Sequence, residues 1–472
     1  MIYCAKTFYV SGKFKRLKHH NYQYRSIPIR LHPLKIAFCL HHFLPYQVAG
    51  TEMYSFQLAH HLAVAGIETL VIIPNLGSSV TDEYTYKGAR VIRYAEDSVE
   101  DRAMIMGNAA PEGLSLFVDI IKKEKPSIVH FHELAPGRGI NIFHVAAVHE
   151  LGLPIVLTFH LSSYTCTKGS LIYLDKIKCD GIIKIRRCSE CVYESKNITG
   201  TRAALLTNMA MGLYHAGINP VKLNSSIGTA LGYPFVINKI KQDLLKLSMM
   251  AEKIVVLAEW YKRILEQNGV SPDKLVYIKQ GLTGKEQNKA HPSPGINLPL
   301  KVVFIGRISA LKGVHLLIDA VCRLPEDKIS LCIYGQETED DYALDCKKRS
   351  AGKKNIHWMG MIASEDVIDM LAQHHILCLP STFSEMSPLV IQEAFAAGLP
   401  VLASDVYGNA EQIKEGENGW LFRFKDSDHL AEKLAFLIDD INKVSAARER
   451  LPVDNTFITV AEQHVALYAG ML

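Results

Sequence analysis

Short apolar runs alternate with longer stretches of helical spacing along most of the chain. Lys35–Leu40 reads as a strand, Thr51–Ala65 as a helix with Met53, Phe56, Leu58 and Leu62 on one side, and Thr69–Ile73 as the next strand. Strands follow at Val91–Tyr94, Ser127–Phe131 and Pro154–Phe159, with helices at Leu114–Lys123 and Ile142–Leu151. Periodicity fails over 161–205. It resumes with helices at 204–215 and 235–250, a strand at Lys253–Leu257 and a helix at 259–268. The polar run Thr283–Pro294 reads as a linker, with its bounds at 283–298. Beyond it, strands at Lys301–Ile305, Ile329–Tyr334, Ile356–Met359, Ile376–Leu379 and Pro400–Ala403 interleave with three helices. These are Val314–Arg323, Ser364–Gln373 with Ser364 as N-cap, and Leu389–Ala397. Helices near 426–440 and 457–471 carry no strand partners. Such alternation is the signature of parallel α/β sheets. The expected architecture is two Rossmann-like domains, 33–282 and 299–455, facing a cleft, with ligands beyond the C-terminal ends of the strands.

Composition excludes disorder: 48% of the 472 residues are hydrophobic and 21% charged, enough apolar surface for a core. The net charge of +4 is unevenly spread. Residues 1–51 carry Lys6, Lys13, Lys15, Arg16, Lys18, Arg25, Arg30 and Lys35 and no acid, so a basic arm (1–32) precedes a slightly acidic body. Phe8, Tyr9, Phe14, Tyr22 and Tyr24 interleave with these bases, which leaves a solvated tail and contact with an anionic membrane surface as alternatives. Nucleic acid is not expected as a partner, since no binding fold accompanies the charge. Without an apolar run of about 18 residues or a signal-type apolar segment, the expected location is cytoplasmic, at most peripheral on the inner membrane face.

Two loops carry candidate chemistry. In Leu379–Asp405, Glu385 ends the loop after a strand and Glu393 follows eight residues later. Ser387 as N-cap and Pro388 at the first helical position start a helix there, leaving the amides of Leu389 and Val390 as free donors. A helix N-terminus of this kind favours an anionic group such as phosphate. In the other loop, strand 301–305 runs into Gly306-Arg307, and Lys312-Gly313 precedes a helix. The glycine permits close backbone approach, while Arg307 offers a rigid fork of donors and Lys312 a point charge, a pair suited to a diphosphate.

Together these segments resemble the nucleotide-sugar-dependent glycosyltransferases of the GT-B fold, family 4, over roughly residues 33–470. The resemblance rests on the Gly-Arg…Lys-Gly loop, the Glu-x7-Glu spacing of Glu385 and Glu393, Gly408-Asn409-Ala410-Glu411, and Asn418-Gly419 before Trp420. Met386-Ser387-Pro388 stands where the family more often has Gly-aromatic-Gly. The resemblance implies that Arg307 and Lys312 bind the diphosphate and stabilise it as it leaves. It also implies that Glu393 holds the ribose hydroxyls and that Glu385 faces the donor sugar. His160, in Thr-Phe-His, is similar to the family histidine that contacts the donor sugar, although Leu161 replaces the usual following Asp. Ala49-Gly50-Thr51-Glu52 is similar to the family's Gly-Gly-x-Glu, which makes Gly50 a close-approach site. His130 and His132 read as core or loop-satisfied residues. A C-terminal helix, 456–472, returning to the N-terminal domain belongs to the same architecture.

The implied activity is that of a retaining glycosyltransferase with no catalytic metal. It would move a sugar from a UDP-, GDP- or ADP-sugar to a glycan or lipid-linked acceptor in cell-surface polysaccharide or glycoconjugate synthesis. A non-catalytic nucleotide-sugar or glycan-binding relative and a sugar phosphorylase are the alternatives. Cys166, Cys179, Cys188 and Cys191 stand apart, in the spacing C-x12-C-x8-C-x2-C within the aperiodic 161–205 segment. Structural zinc, free thiols and redox pairs are the readings this spacing leaves open. The scattered Cys4, Cys39, Cys322, Cys332, Cys346 and Cys378 read as small buried hydrophobes.

Overall fold

A computed structural model describes residues 34–97, 102–105, 107–134, 139–223, 225–282, 296–452 and 455–472. The basic arm 1–32 and residues 283–295 of the expected linker lie outside the described residues. Residues 33–472 form one unit built on two α/β layers.

The first sheet has eight strands, in the spatial order Leu275–Tyr277, Lys253–Val256, Ile155–Phe159, Ile128–His132, Lys35–Cys39, Glu68–Leu76, Ala89–Glu96 and Asp82–Tyr86. Only the last pair is antiparallel. Helices cover both faces, so the central strands are apolar throughout rather than alternating, and Ile155–Phe159 and Ile128–His132 are buried at every residue. In the second strand the sequence Ile-Val-His-Phe-His puts His130 and His132 on one face by the two-residue repeat. The second sheet has six strands, all parallel, ordered Ile356–Gly360, Ile329–Tyr334, Leu300–Ile305, Ile376–Leu379, Val401–Ser404 and Gly419–Phe422. The expected α/β class with two parallel-sheet domains is what the chain adopts.

Strand order reverses between Leu300–Ile305 and Ile376–Leu379 in the second sheet, and between Lys35–Cys39 and Ile128–His132 in the first. At such a reversal the loops leaving the two strands part and open a crevice. The loops there carry Gly306 to Gly313 and Pro380 to Pro388 in one domain, and Gly50 and Glu133 in the other.

The C-terminal helix Phe457–Ala469 returns to the N-terminal domain and packs on Gly50–Val64. Tyr468 Oη lies 2.7 Å from His130 Nδ1, and the Phe457 and Tyr54 rings meet edge-on at 5.2 Å. Where the chain crosses back, Leu282 N–H donates to the Asn455 carbonyl at 2.8 Å, holding the two crossing segments side by side.

Two capping expectations are corrected. Ser364 lies in a single 3-10 turn, Ser364–Asp366, closed by Asp366 N–H on the Ala363 carbonyl, and its side chain caps nothing. The helix after Glu385 spans Leu389–Ala396 with Pro388 as its N-cap, so Ser387 lies outside it. Proline at that position has no N–H to satisfy and takes φ −65° with ψ 117°, extended rather than helical. The strands Asp82–Tyr86, Leu275–Tyr277 and Gly419–Phe422 and the helices Asp340–Arg349 and Asn442–Arg448 were not legible, being short or mainly polar. Within 161–205 the chain forms a two-stranded hairpin, Ile172–Tyr173 with Ile177–Lys178, and a helix, Ile185–Glu194.

Candidate functional site

The two loops at the second sheet's reversal are knitted to each other. Thr382 N–H donates to the Leu311 carbonyl at 2.8 Å and Thr382 Oγ1 to the Ala310 carbonyl at 2.9 Å. Gly313 turns the chain into helix Val314–Val321 with φ +68°, and a Cβ there would lie 2.0 Å from the Pro380 carbonyl oxygen. Only glycine satisfies both the dihedral and the space. This stitching delivers Lys312 to Glu385: Nζ lies 2.8 Å from each carboxylate oxygen, with both side chains mostly buried. Ser381 Oγ donates to Glu385 Oε1 at 2.5 Å, so the carboxylate is fixed from two sides.

Arg307, one loop position beyond Gly306, is exposed and has no carboxylate partner among the described residues. The amides of Leu389 and Val390 open the helix without an acceptor among the described residues, the first turn being closed by Ile391 N–H on the Pro388 carbonyl at 3.2 Å. Glu393 stands in the second turn of that helix. Its carboxyl makes no hydrogen bond to the described residues, and burial pushes it up to about 7. The two loops and the helix that follows therefore carry an exposed guanidinium, an ammonium, two amides at the positive end of a helix dipole, and two carboxyls. Such a set accepts a polyanion and hydroxyl groups together.

Loops of the N-terminal half border this crevice from the other side. Trp260 Nε1 donates to the Met386 carbonyl at 3.0 Å, and its ring stacks on Tyr407 at 5.0 Å and 12°. Glu411 accepts from the N–H groups of Glu259 and Trp260 at 3.0 and 2.6 Å, so a carboxylate from one domain caps a helix of the other. Ser384 N–H donates to the Ser170 carbonyl at 2.8 Å. Gly408 sits under the same loop: a Cβ there would lie 2.0 Å from the Glu385 carbonyl oxygen.

Gly50 opens the helix Gly50–Val64, and a Cβ there would meet nothing within 4 Å, leaving room for a ligand to approach. Burial holds His160 down at about 3, so its ring is neutral, and Nε2 lies 3.3 Å from His132 Nδ1. No hydrogen bond or ring contact joins Gly50 or His160 to Lys312 or Glu385 among the described residues. His130 and His132 are fully buried, as expected of core residues, and His130 Nε2 lies 2.7 Å from Thr158 Oγ1.

Glu133 was missed by the sequence reading, and Glu52 was named there only as the last residue of the Ala49–Glu52 motif, without a role. Glu133 accepts the N–H groups of His160 and Leu161, each at 3.0 Å, and fixes the backbone that presents His160; burial pushes its carboxyl up to about 8. Glu52, in the first turn of Gly50–Val64, is buried with Oε2 unpartnered. The only available signals were position, a carboxylate right after the His-Phe-His strand and another two residues after Gly50.

The four clustered cysteines are all free, and all four line one cavity of about 30 Å³. Among the described residues, no group of three or more His, Cys, Asp or Glu side chains stands arranged to hold a metal ion. Of the scattered cysteines, Cys39, Cys346 and Cys378 are buried, while Cys322 and Cys332 are half-buried.

Residues 286–451 match the model for "Glycosyl transferases group 1", and residues 48–183 match that for "Glycosyltransferase Family 4". The chain is 27% identical over 224 residues to the glycogen synthase of Mycobacterium tuberculosis, covering 46% of this chain and 53% of that one. It is also 27% identical over 251 residues to the N,N'-diacetylbacillosaminyl-diphospho-undecaprenol alpha-1,3-N-acetylgalactosaminyltransferase of Campylobacter jejuni, covering 50% of this chain and 64% of that one. The match thus spans about half to two-thirds of the length of these curated relatives. Among solved structures, Anabaena HepE in complex with UDP and glucose shares the fold, with a TM-score of 0.57 at 15% identity over 92% of this chain and 99% of that one. Its two halves thus carry the two domains of one architecture, and the chain belongs to the group 1, family 4 glycosyltransferases of the GT-B fold.

Proposed function

We propose that the chain is a retaining glycosyltransferase that moves a hexosyl-type sugar from a nucleoside diphosphate sugar to a glycan or lipid-linked acceptor. The observation that carries this reading is the Lys312–Glu385 pair, fixed at 2.8 Å beside an unpaired Arg307 and the free amides of Leu389 and Val390. As the bond from the sugar's anomeric carbon to the phosphate oxygen breaks, positive charge grows on the sugar and negative charge on the diphosphate. Arg307, Lys312 and the helix amides are fixed before the reaction and oppose the second of these charges without reorganising. Glu385, held by Lys312 and Ser381, presents its carboxylate to the sugar hydroxyls. Glu393 takes the ribose hydroxyls, and Gly306 and Gly50 let the backbone come close to the phosphates. Cations of the chain thus serve the leaving group, and no catalytic metal enters the scheme. His160, neutral and steadied through Glu133, donates a hydrogen bond to the donor sugar.

The acceptor side falls to the N-terminal domain. A groove of about 730 Å³ there is lined by apolar Phe143, Val236 and Leu244 together with Lys168, Lys196 and Lys239, the last paired with Asp243 in the same wall. Apolar walls carrying cations suit a lipid-linked phosphate acceptor, the kind of acceptor named for the Campylobacter relative. Exposed Leu205, Met209, Ile218, Leu223 and Ile227 on 200–231 supply an apolar face for peripheral membrane contact. No helix of the described residues is long and apolar enough to cross a membrane.

A panel of UDP-, GDP- and ADP-sugars, screened by ligand-detected NMR, tests the donor. The anomeric configuration of the product, read by proton NMR, tests retention. Absence of binding to every member, with folded protein, overturns the assignment.

A further inference from the structure

The insertion that breaks the α/β alternation is built around its four cysteines. Cys166 follows the 3-10 turn Ser162–Tyr164, its N–H on the Ser162 carbonyl at 3.0 Å. Cys179 ends the hairpin, its N–H on the Leu171 carbonyl at 2.8 Å. Cys188 and Cys191 sit three residues apart on Ile185–Glu194 and therefore on one helix face. Three unconnected elements thus turn all four thiols toward the same cavity of about 30 Å³. The Cys191 sulfur lies 3.4 Å from the Leu174 nitrogen and 3.9 Å from Lys168 Nζ, so donors already stand around it. Arg187 lines the same cavity. The segment has little regular structure, its hairpin strands being two residues each and Leu171, Leu174 and Asp175 all taking positive φ, although Leu171 and Ile183 are buried in the core.

We propose that Cys166, Cys179, Cys188 and Cys191 bind one structural zinc-type ion that pins this insertion. On binding, each thiol gives its proton to solvent and its sulfur a lone pair to the metal, with no change of oxidation state. The four cysteines share the cavity wall but do not stand at coordinating distances, so binding must draw their sulfurs inward to about 2.3 Å from the ion. Four thiolates around a divalent ion leave two excess negative charges, which Lys168 and Arg187, now paired with Asp175 and Asp180, would share.

The site is set where it matters for the rest of the molecule. The insertion reaches the C-terminal domain through Lys178 Nζ on Asp405 Oδ1 at 2.7 Å and Tyr407 Oη on the Cys179 carbonyl at 2.9 Å. The Ser170 carbonyl takes the N–H of Ser384, the neighbour of Glu385. The ion therefore stabilises a strap between domains. Only this consequence rests on the donor-site reading; the metal itself does not.

The test is elemental analysis of the full chain purified without chelator from zinc-supplemented medium, paired with native and denatured thiol titration. About one zinc per chain is expected, with four thiols that react only after mercurial release of the metal. Cys188→Ser/Cys191→Ser should lose the metal and Cys322→Ser should retain it. Should the double variant fail to fold, exchange of Co²⁺ into the native chain should still give the thiolate charge-transfer bands of a tetrahedral site. Metal well below one equivalent with four freely reactive thiols, or disulfide-linked Cys166 to Cys191 peptides by non-reducing mass spectrometry, would overturn the proposal. Either result leaves the transferase reading untouched, because donor binding is measured separately.

Discussion

Lys312 Nζ stands equidistant, at 2.8 Å, from the two carboxylate oxygens of Glu385, although 73 residues separate them in the chain. Each group fixes the other. A diphosphate arriving at Lys312 must share or displace that partner, and the shift would hand the Glu385 carboxylate to the sugar.

Removing Lys312 should therefore do more than remove a charge. Lys312→Ala is expected to lower turnover by about 10²–10³-fold, the loss typical of one preorganised donor to a developing anion. Arg307→Ala, which breaks no ion pair, should lower turnover without a change in melting temperature. Steady-state kinetics together with thermal denaturation separates the two; equal turnover in both variants and the native chain sinks the assignment.

Glu393→Ala should raise the donor KM with little change in kcat, because ribose contacts are the same in ground and transition states. Calorimetric titration with the nucleoside diphosphate alone should show the same loss of affinity.

Stability should fall as pH rises from about 6.5 toward 8; below that window the buried histidines, His160 and His144 at about 3 among them, act in the opposite direction. Burial places Glu393 at about 7 and Glu133 at about 8, above the ordinary Glu value of 4.5. In that window the folded chain holds protons that the unfolded chain has already released, so raising pH favours unfolding. Glu133→Gln should flatten the upper part of the slope and Glu393→Gln the part below about 7. Urea midpoints measured at intervals of half a pH unit would show this.

Trp260→Phe should cost about 1 kcal/mol, the net worth of the lost hydrogen bond to Met386, while keeping an aromatic ring against Tyr407. Trp260→Ala should cost about 3–5 kcal/mol, since a large buried ring leaves a cavity. Urea denaturation followed by circular dichroism gives both numbers.

Gly408→Ala should impair catalysis through the backbone. Its Cβ would lie 2.0 Å from the Glu385 carbonyl oxygen, so the loop must move to make room. The expected result is a fall in kcat with folding retained; unchanged kinetics would show that the loop tolerates displacement.

The sequence by itself determined the two parallel sheets. Their buried strands are continuous apolar runs, and their helices carry an apolar stripe, both legible without partners. It also placed Glu385, Arg307 and Lys312 on strand-end loops and Glu393 on the helix that follows, because glycine and proline mark where strands stop and the helix begins. Tertiary structure alone decided that Lys312 meets Glu385, that Glu133 steadies His160, and that Glu411 caps a helix across the domain boundary. Those contacts join residues far apart in sequence, and no local periodicity encodes them. Proline 388 shows the limit at short range: its residue type fits either N-cap or first helical position, and only the backbone path out of Glu385 chose between them. The cysteines show it at longer range, since their spacing is irregular and only folding turns all four toward one cavity.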